Sequence, residues 1–324
     1  MNILVTGGAG FMGSHFVRFM VNRYHNHSII NYDKLTYAGD LRNLKDIEKK
    51  KNYKFVKGDV CNLKFLIKLL KDVDCVVHLA AESHVDNSVG NSLIFTTSNA
   101  YGTHVLLEAA RLNRIKKFIH VSTDEVYGDI EKGSFREDSI LNPNNPYSAS
   151  KAAAEMVIRS YYKTYRLPII IVRSNNVYGP NQYPEKIIPK FVTSLLENKK
   201  VTLHGDGSNI RTYIYADDFS NAMGLVFEKG KFGEIYNIGT SDELTNLNMA
   251  KLILKKMGKG GNCIDFVEDR PFNDRRYSID ISKIKAMGWK QNHAFDEGLD
   301  LTIKWYRENK GWWKGKINNS NFIK

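Results

Sequence analysis

The feature that most constrains this chain is an alternation of two hydrophobic patterns. Through the first 175 residues, short apolar runs alternate with amphipathic stretches. The runs are Ile3-Leu4-Val5, Ile29 to Tyr32, Tyr53 to Val56, Cys75 to His78, Phe118 to Val121 and Ile169 to Val172. Between them, helical patterns cover Phe11 to Tyr24, Leu63 to Leu70 and Thr97 to Leu112. Strands alternating with helices predict a parallel, doubly wound α/β sheet. The rest reads as mixed, with short strands near Thr202-Leu203, Tyr213-Ile214 and Ile235 to Ile238. Helices are expected near Asp217 to Phe227, Asn248 to Met257 and Phe295 to Glu308. The predicted organisation is a first domain over 1–175, to which a segment near 215–240 returns. A smaller, interleaved mixed α/β domain covers 176–315. A polar tail covers 316–324, with fraying expected after Trp313.

The run VTGGAGFMGS follows the first strand. Gly7, Gly10 and Gly13 stand in G-x-x-G-x-x-G spacing, with Phe11 and Met12 opening a helix. Glycines let a backbone turn sharply and approach a pyrophosphate, which the helix N-terminus then meets with unpaired N–H groups. The second strand ends in Asp33, 20 residues after Gly13. A carboxylate there accepts hydrogen bonds from the adenosine ribose hydroxyls and repels a 2′-phosphate, so the expected cofactor is NAD rather than NADP. Asp59, after the third strand, is expected beside the adenine.

Tyr147 and Lys151 are four residues apart on a helix opened by Pro146, which puts them on one face. The expectation is that the Lys151 ammonium, with the positive nicotinamide, lowers the Tyr147 pKa so that the phenol can take a proton from a sugar hydroxyl. The fifth strand leads into Ser122-Thr123-Asp124-Glu125-Val126-Tyr127-Gly128. Two acids at the carboxyl end of a parallel strand would face a ligand cleft.

The glycine turn, Asp33, Thr123 and the Tyr147/Lys151 pair together resemble the extended short-chain dehydrogenase/reductase family over nearly the whole chain. The resemblance implies an N-terminal Rossmann domain holding NAD and a smaller C-terminal domain holding a nucleotide-sugar. It also implies a homodimer paired through helices near Ala100 to Leu112 and Tyr147 to Tyr165. Within that family, TDEVYG (123–128) is similar to the segment that marks nucleoside-diphosphate-glucose 4,6-dehydratases. NYDKLTYAGDLRNL (31–44), HLAAESHVDNS (78–88), NPYSASKAAAE (145–155), GPNQYPEKIIPKF (179–191) and DRPFNDRRY (269–277) agree.

The resemblance implies that Tyr147 accepts the carbon-4 hydroxyl proton while Thr123 holds the oxygen. Glu125 then removes the carbon-5 proton and Asp124 protonates the departing carbon-6 hydroxyl. Lys34, Val60 and Ala80 are expected to join the cofactor contacts. Arg211 and Arg275, with Arg276 as a weaker candidate, match diphosphate oxygens by guanidinium geometry. Asn176, Lys186, Glu82, Ser83 and Asn246 are expected around the nucleotide-sugar. The chain departs from the bacterial dTDP-glucose pattern at Ser174-Asn175-Asn176-Val177-Tyr178-Gly179-Pro180 and at Phe272-Asn273. Its motifs look closer to the UDP-glucose dehydratases, including the dehydratase domain of plant-type rhamnose synthases. UDP-glucose is therefore the expected substrate and dTDP-glucose the alternative. Rhamnose formation would need a downstream epimerase/reductase partner.

A 4-epimerase and a UDP-glucuronate decarboxylase are the alternatives within this fold. Asp124-Glu125 argues against the first, and the second needs an arginine-rich carboxylate grip that the sequence does not place. A non-catalytic NAD-binding module need not retain Thr123, Tyr147 and Lys151. The formal charge of +12 raises nucleic acid as a partner. The lysines, however, are dispersed without an arginine-rich stripe, and the charge equally suits a diphosphate. Cys61, Cys75 and Cys263 show no disulfide or metal spacing, so a reducing compartment and no metal are expected. A first strand beginning at Asn2, with no run near the ~18 apolar residues of a membrane span, points to a cytoplasmic protein.

Overall fold

The structure, a computed structural model, describes residues 1–269 and 273–317. Among them, twelve strands follow in chain order. They are β1 (Asn2–Thr6), β2 (Ser28–Asp33), β3 (Tyr53–Lys57), β4 (Cys75–His78), β5 (Lys117–Thr123), β6 (Ile169–Ser174), β7 (Asn176–Tyr178), β8 (Val201–His204), β9 (Ile210–Tyr215), β10 (Ile235–Ile238), β11 (Glu243–Thr245) and β12 (Ile264–Val267). Seven form one sheet in the order β10-β6-β5-β4-β1-β2-β3, with every pairing parallel.

Successive strand residues point to opposite faces, so a strand covered on both sides must be apolar throughout. In β1, Ile3 and Val5 join one core with Phe16, Val17 and Met20 of helix Phe11–Arg23 and with Phe219 and Met223 of helix Ala216–Lys229. Leu4 joins the opposite core with Leu106 and Leu107 of helix Gly102–Leu112 and Ile158 of helix Pro146–Tyr165. Strand order reverses between β1 and β4, which opens a crevice at their carboxyl ends.

The second part builds two small sheets, β11-β9-β7 and β12-β8. Their core includes Phe191, Tyr213, Met249, Leu299, Tyr306, Trp312 and Trp313. Helix Ile187–Leu196 and strands β7, β11 and β12 add to the elements expected from the sequence.

Two segments differ from expectation. The helix expected over Thr97 to Leu112 begins earlier, at Ser92–Phe95, and widens into a π turn over Thr96–Tyr101 before Gly102–Leu112. That bulge carries Asn99 inward, where its amide accepts from the Glu82 N–H at 2.8 Å and donates to the Glu82 carbonyl and Ser150 Oγ, each at 2.9 Å. Fraying is also overturned over 314–317, because Lys310–Ile317 is a helix that begins before Trp313 and continues past it. Trp312 and Trp313 are buried, and the Trp313 indole donates to the Tyr306 carbonyl at 2.7 Å. Of the tail expected over 316–324, residues 316–317 belong to this helix, and those from 318 onward lie outside the described residues. No helix among the described residues is long and apolar enough to cross a membrane.

Candidate active site

The glycine turn occupies the crevice at the end of β1. Gly7 has φ +71°, and a Cβ on it would lie 2.6 Å from the Ala80 nitrogen. A Cβ on Gly13 would lie 2.0 Å from the Gly7 carbonyl oxygen. Only glycine allows the helix to pack this close to the turn. The helix starts at Gly10 with no side-chain cap and no acid in its first turn, which leaves its N–H groups free for an anion.

Asp33 does more than the sequence suggested. Its carboxylate accepts the Ala9 N–H at 2.9 Å and the Leu35 N–H at 2.7 Å, so it pins the glycine turn as well as facing the cleft. Burial raises its pKa, and the surrounding N–H groups oppose that shift. Lys34 forms an ion pair with Asp59 at 2.7 Å. Gly7, Gly10, Phe11, Met12, Gly13, Asp33, Lys34, Asp59, Val60 and Ala80 all line one cleft. An open helix end, a side-chain-free turn and a carboxylate one strand away match the shape and charge of a dinucleotide.

Thr123, Asp124, Glu125, Tyr147 and Lys151 line the deep end of that cleft. The first three lie where β5 ends, and the last two lie on helix Pro146–Tyr165. Asn145 caps that helix by accepting the Ser148 N–H at 2.9 Å. The Asn145 side chain also donates to Glu125 at 3.3 Å. Thr123 Oγ1 donates to Asp124 at 3.2 Å, and Asn175 donates to the other Asp124 oxygen at 2.8 Å.

Asp124 is buried, and desolvation together with the Glu125 charge lifts its pKa to about 7. Glu125 is partly exposed to the cleft. Packing raises its pKa too, but Lys186 and Arg211 pull it back. Two adjacent acids therefore sit in different electrostatic surroundings.

Tyr147 and Lys151 share the cleft, as their spacing predicts. Burial and the Glu125 charge push the Tyr147 pKa up, opposed by a hydrogen bond with Thr123. The Lys151 ammonium donates to the Val121 carbonyl at 2.7 Å, and desolvation lowers its own pKa to about 8. Lys151 is not among the protein groups that shift the phenol.

A second cleft, lined by Asn176, Lys186, Arg211 and Asn246, meets the first at Glu125, Asn176, Gln182, Glu185 and Lys186. Glu82 and Ser83 border the first cleft, and Lys186 Nζ donates to the Ser83 carbonyl at 2.6 Å. The Arg211 guanidinium lies over the Tyr277 ring at 4.4 Å.

Two arginine expectations change. The Arg275 side chain is exposed and outside both cleft linings, because its carbonyl is tied to the Ile210 N–H at 2.7 Å while Asp274 and Tyr277 face inward. Arg276 is held by Glu243 at 3.0 Å and by the Gly133 carbonyl at 2.9 Å. Phe272, cited for its departure from the dTDP pattern, lies outside the described residues.

Sequence reasoning missed Asn175, Asn145, Tyr277 and Glu185. Asn175 was legible in principle, since it follows the carboxyl end of β6, the neighbour of β5.

The model of the GDP-mannose 4,6-dehydratase family matches residues 4–302. A trifunctional UDP-glucose 4,6-dehydratase/3,5-epimerase/reductase from Arabidopsis thaliana is 47% identical over 319 residues. This chain spans 48% of that relative's length. The dTDP-D-glucose 4,6-dehydratase of Bos taurus is 48% identical over 96% of this chain and 90% of its own. The solved structure of DesIV, a dTDP-glucose 4,6-dehydratase from Streptomyces venezuelae with NAD bound, superposes with a TM-score of 0.96. It is 44% identical and covers 98% of this chain and 100% of its own. A match of this extent, carried on a fold and a site built as described above, places the chain in the GDP-mannose 4,6-dehydratase family.

Proposed function

We propose that the protein is an NAD-dependent UDP-glucose 4,6-dehydratase, forming UDP-4-keto-6-deoxyglucose and water. The observation that carries this reading is the Asp124-Glu125 pair beside Thr123 and Tyr147, where the two clefts meet. An oxidation alone needs the tyrosine and threonine; elimination of water needs an acid and a base in addition.

Gly7, Gly10, Gly13 and Asp33 would hold NAD, which would supply the acceptor for a hydride from carbon 4 and its donor to carbon 6. Tyr147 receives the carbon-4 hydroxyl proton, and Thr123 holds that oxygen. The new ketone acidifies carbon 5, whose proton Glu125 removes and later restores. Asp124, with a pKa near 7, carries the proton that lets the carbon-6 hydroxyl leave as water. Each turnover thus leaves Tyr147 one proton richer and Asp124 one poorer. Thr123, hydrogen-bonded toward both, is the bridge across which that proton returns. Arg211, Lys186, Asn176 and Asn246 grip the nucleotide diphosphate and sugar in the second cleft, with Glu82 and Ser83 facing the sugar from the adjoining first cleft.

UDP is favoured over dTDP by the departure at Ser174 to Pro180, and dTDP-glucose is the second reading, favoured by the likeness to DesIV. Uracil and thymine differ by one methyl, worth about 1–3 kcal/mol, so both substrates turn over with a preference rather than an absolute choice. Exposed Leu93, Tyr101, Leu112, Met156 and Tyr165 on the helices between 92 and 165 support the homodimer. A keto-sugar product calls for a downstream epimerase/reductase activity.

Incubation with UDP-glucose or dTDP-glucose, without added reductant, is expected to give a nucleotide-sugar lighter by one water and no net NADH. The faster substrate names the nucleotide. Unchanged mass with both would overturn the dehydratase reading.

A further inference from the structure

The C-terminal helix Lys310–Ile317 packs on the smaller domain, where the Trp312 ring meets Trp305 edge-on at 5.0 Å and the Trp313 indole is tied to Tyr306. Its other side reaches the first domain. The Trp312 indole donates to Asn43 Oδ1 at 2.8 Å, in a buried contact that Asn181 shares at 3.2 Å. Lys316 Nζ lies 2.8 Å from Asp40, with both side chains only 12% exposed. The ammonium sits over the rings of Trp312 at 4.5 Å and Tyr183 at 5.5 Å.

The segment these groups grip is the one that walls the cofactor cleft. Lys34, Thr36, Ala38 and Gly39 line it. The same segment is fastened to the glycine turn, because the Asp40 N–H and the Asn43 amide both donate to the Ala9 carbonyl, at 2.9 and 3.0 Å. A continuous set of bonds therefore runs from the C-terminal helix, through Asp40 and Asn43, to the backbone of the turn.

We propose that Lys316 and Trp312 act as a bolt across the cofactor cleft, positioning residues that hold segment 34–44 shut on the glycine turn and so retain bound NAD. The inference rests on the proposed NAD chemistry: a dehydratase that regenerates its cofactor within every turnover has no need to release it. The bolt is electrostatic and nearly dry, so it resists screening better than a surface pair. Burial acts to raise the Asp40 pKa, but Arg42 and Lys316 hold it at about 2. The Asp40 carboxylate thus stays charged at every pH near neutrality.

The test uses full-length protein loaded with NAD and then desalted. Lys316→Gln keeps the stem over the rings and removes the charge, Trp312→Phe keeps a ring and removes the donor, and Lys316→Arg restores the charge. NAD dissociation is expected to quicken roughly tenfold in the Gln and Phe variants and to recover in the Arg variant. Turnover at saturating NAD should stay close to wild type, and the thermal midpoint should fall further in the NAD-loaded protein than in the apoprotein, which loses the buried contacts alone. Release as slow as wild type in both the Gln and Phe variants overturns the bolt, as do equal midpoint losses with and without NAD. A wild-type protein that binds no NAD overturns the cofactor reading itself and the bolt with it.

Discussion

Glu125→Gln protein mixed with UDP-glucose is expected to become reduced at the nicotinamide and to stall there. The amide cannot take the carbon-5 proton, whereas Tyr147 and Thr123, which serve the first oxidation, are untouched. Loss of a general base typically costs about 10²–10⁴ in rate, so dehydrated product should fall by that factor. The near-ultraviolet absorbance of reduced nicotinamide should rise on mixing and persist. The substitution is nearly isosteric and removes a charge that lies against Asp124 and Tyr147, so the fold should survive. Product formed at the wild-type rate would remove Glu125 from the chemistry. Loss of product without any reduction would move its role back to the oxidation, where a 4-epimerase reading would regain ground.

The architecture was legible because parallel strands covered on both faces carry unbroken apolar runs. Cys75 to His78 and Ile235 to Ile238 match the strands residue for residue, as does the helix over Phe295 to Glu308. What escaped depends on contacts made at long range. The π turn at Thr96–Tyr101 arises where Asn99 is drawn to Glu82 and Ser150, neither of which is near it in sequence. The C-terminal helix looks polar along the chain, and its order comes from Trp312 and Trp313 burying against distant residues. In the site, motif spacing brought Thr123, Tyr147 and Lys151 together, yet it could not show that the Lys151 ammonium turns to the Val121 carbonyl. Arg275 and Arg276 carried the right chemistry, but spacing does not say that one lies exposed and the other is held by Glu243 and the Gly133 carbonyl. Asp33 fitted its expected place and has a second task, fastening the turn, because both its oxygens already accept N–H groups.

Asp124→Asn should lose turnover by about the same factor as Glu125→Gln and gain stability, and the gain should depend on pH. The Asp124 pKa of about 7 stands above the ~3.9 of an unfolded aspartate. Between those values the folded chain keeps a proton that the unfolded chain has released. Stability is therefore full below pH ~4, falls as pH rises through about 7, and levels off above. A neutral asparagine does not carry this cost, and Asn175 can still donate to its carbonyl. At pH 8 the variant should melt higher than wild type, by an amount on the order of a few kcal/mol in free energy, and at pH 5 most of the difference should vanish. The wild-type rate should show the matching limb: an acid that must hold its proton loses activity as pH climbs past about 7. A melting difference that ignores pH would mean that Asp124 is ionised throughout, in which case it could not protonate the leaving hydroxyl. The stability curve and the rate curve thus test one proton from two sides. Their agreement would tie the burial of Asp124, which costs the fold, to the acid that the elimination requires.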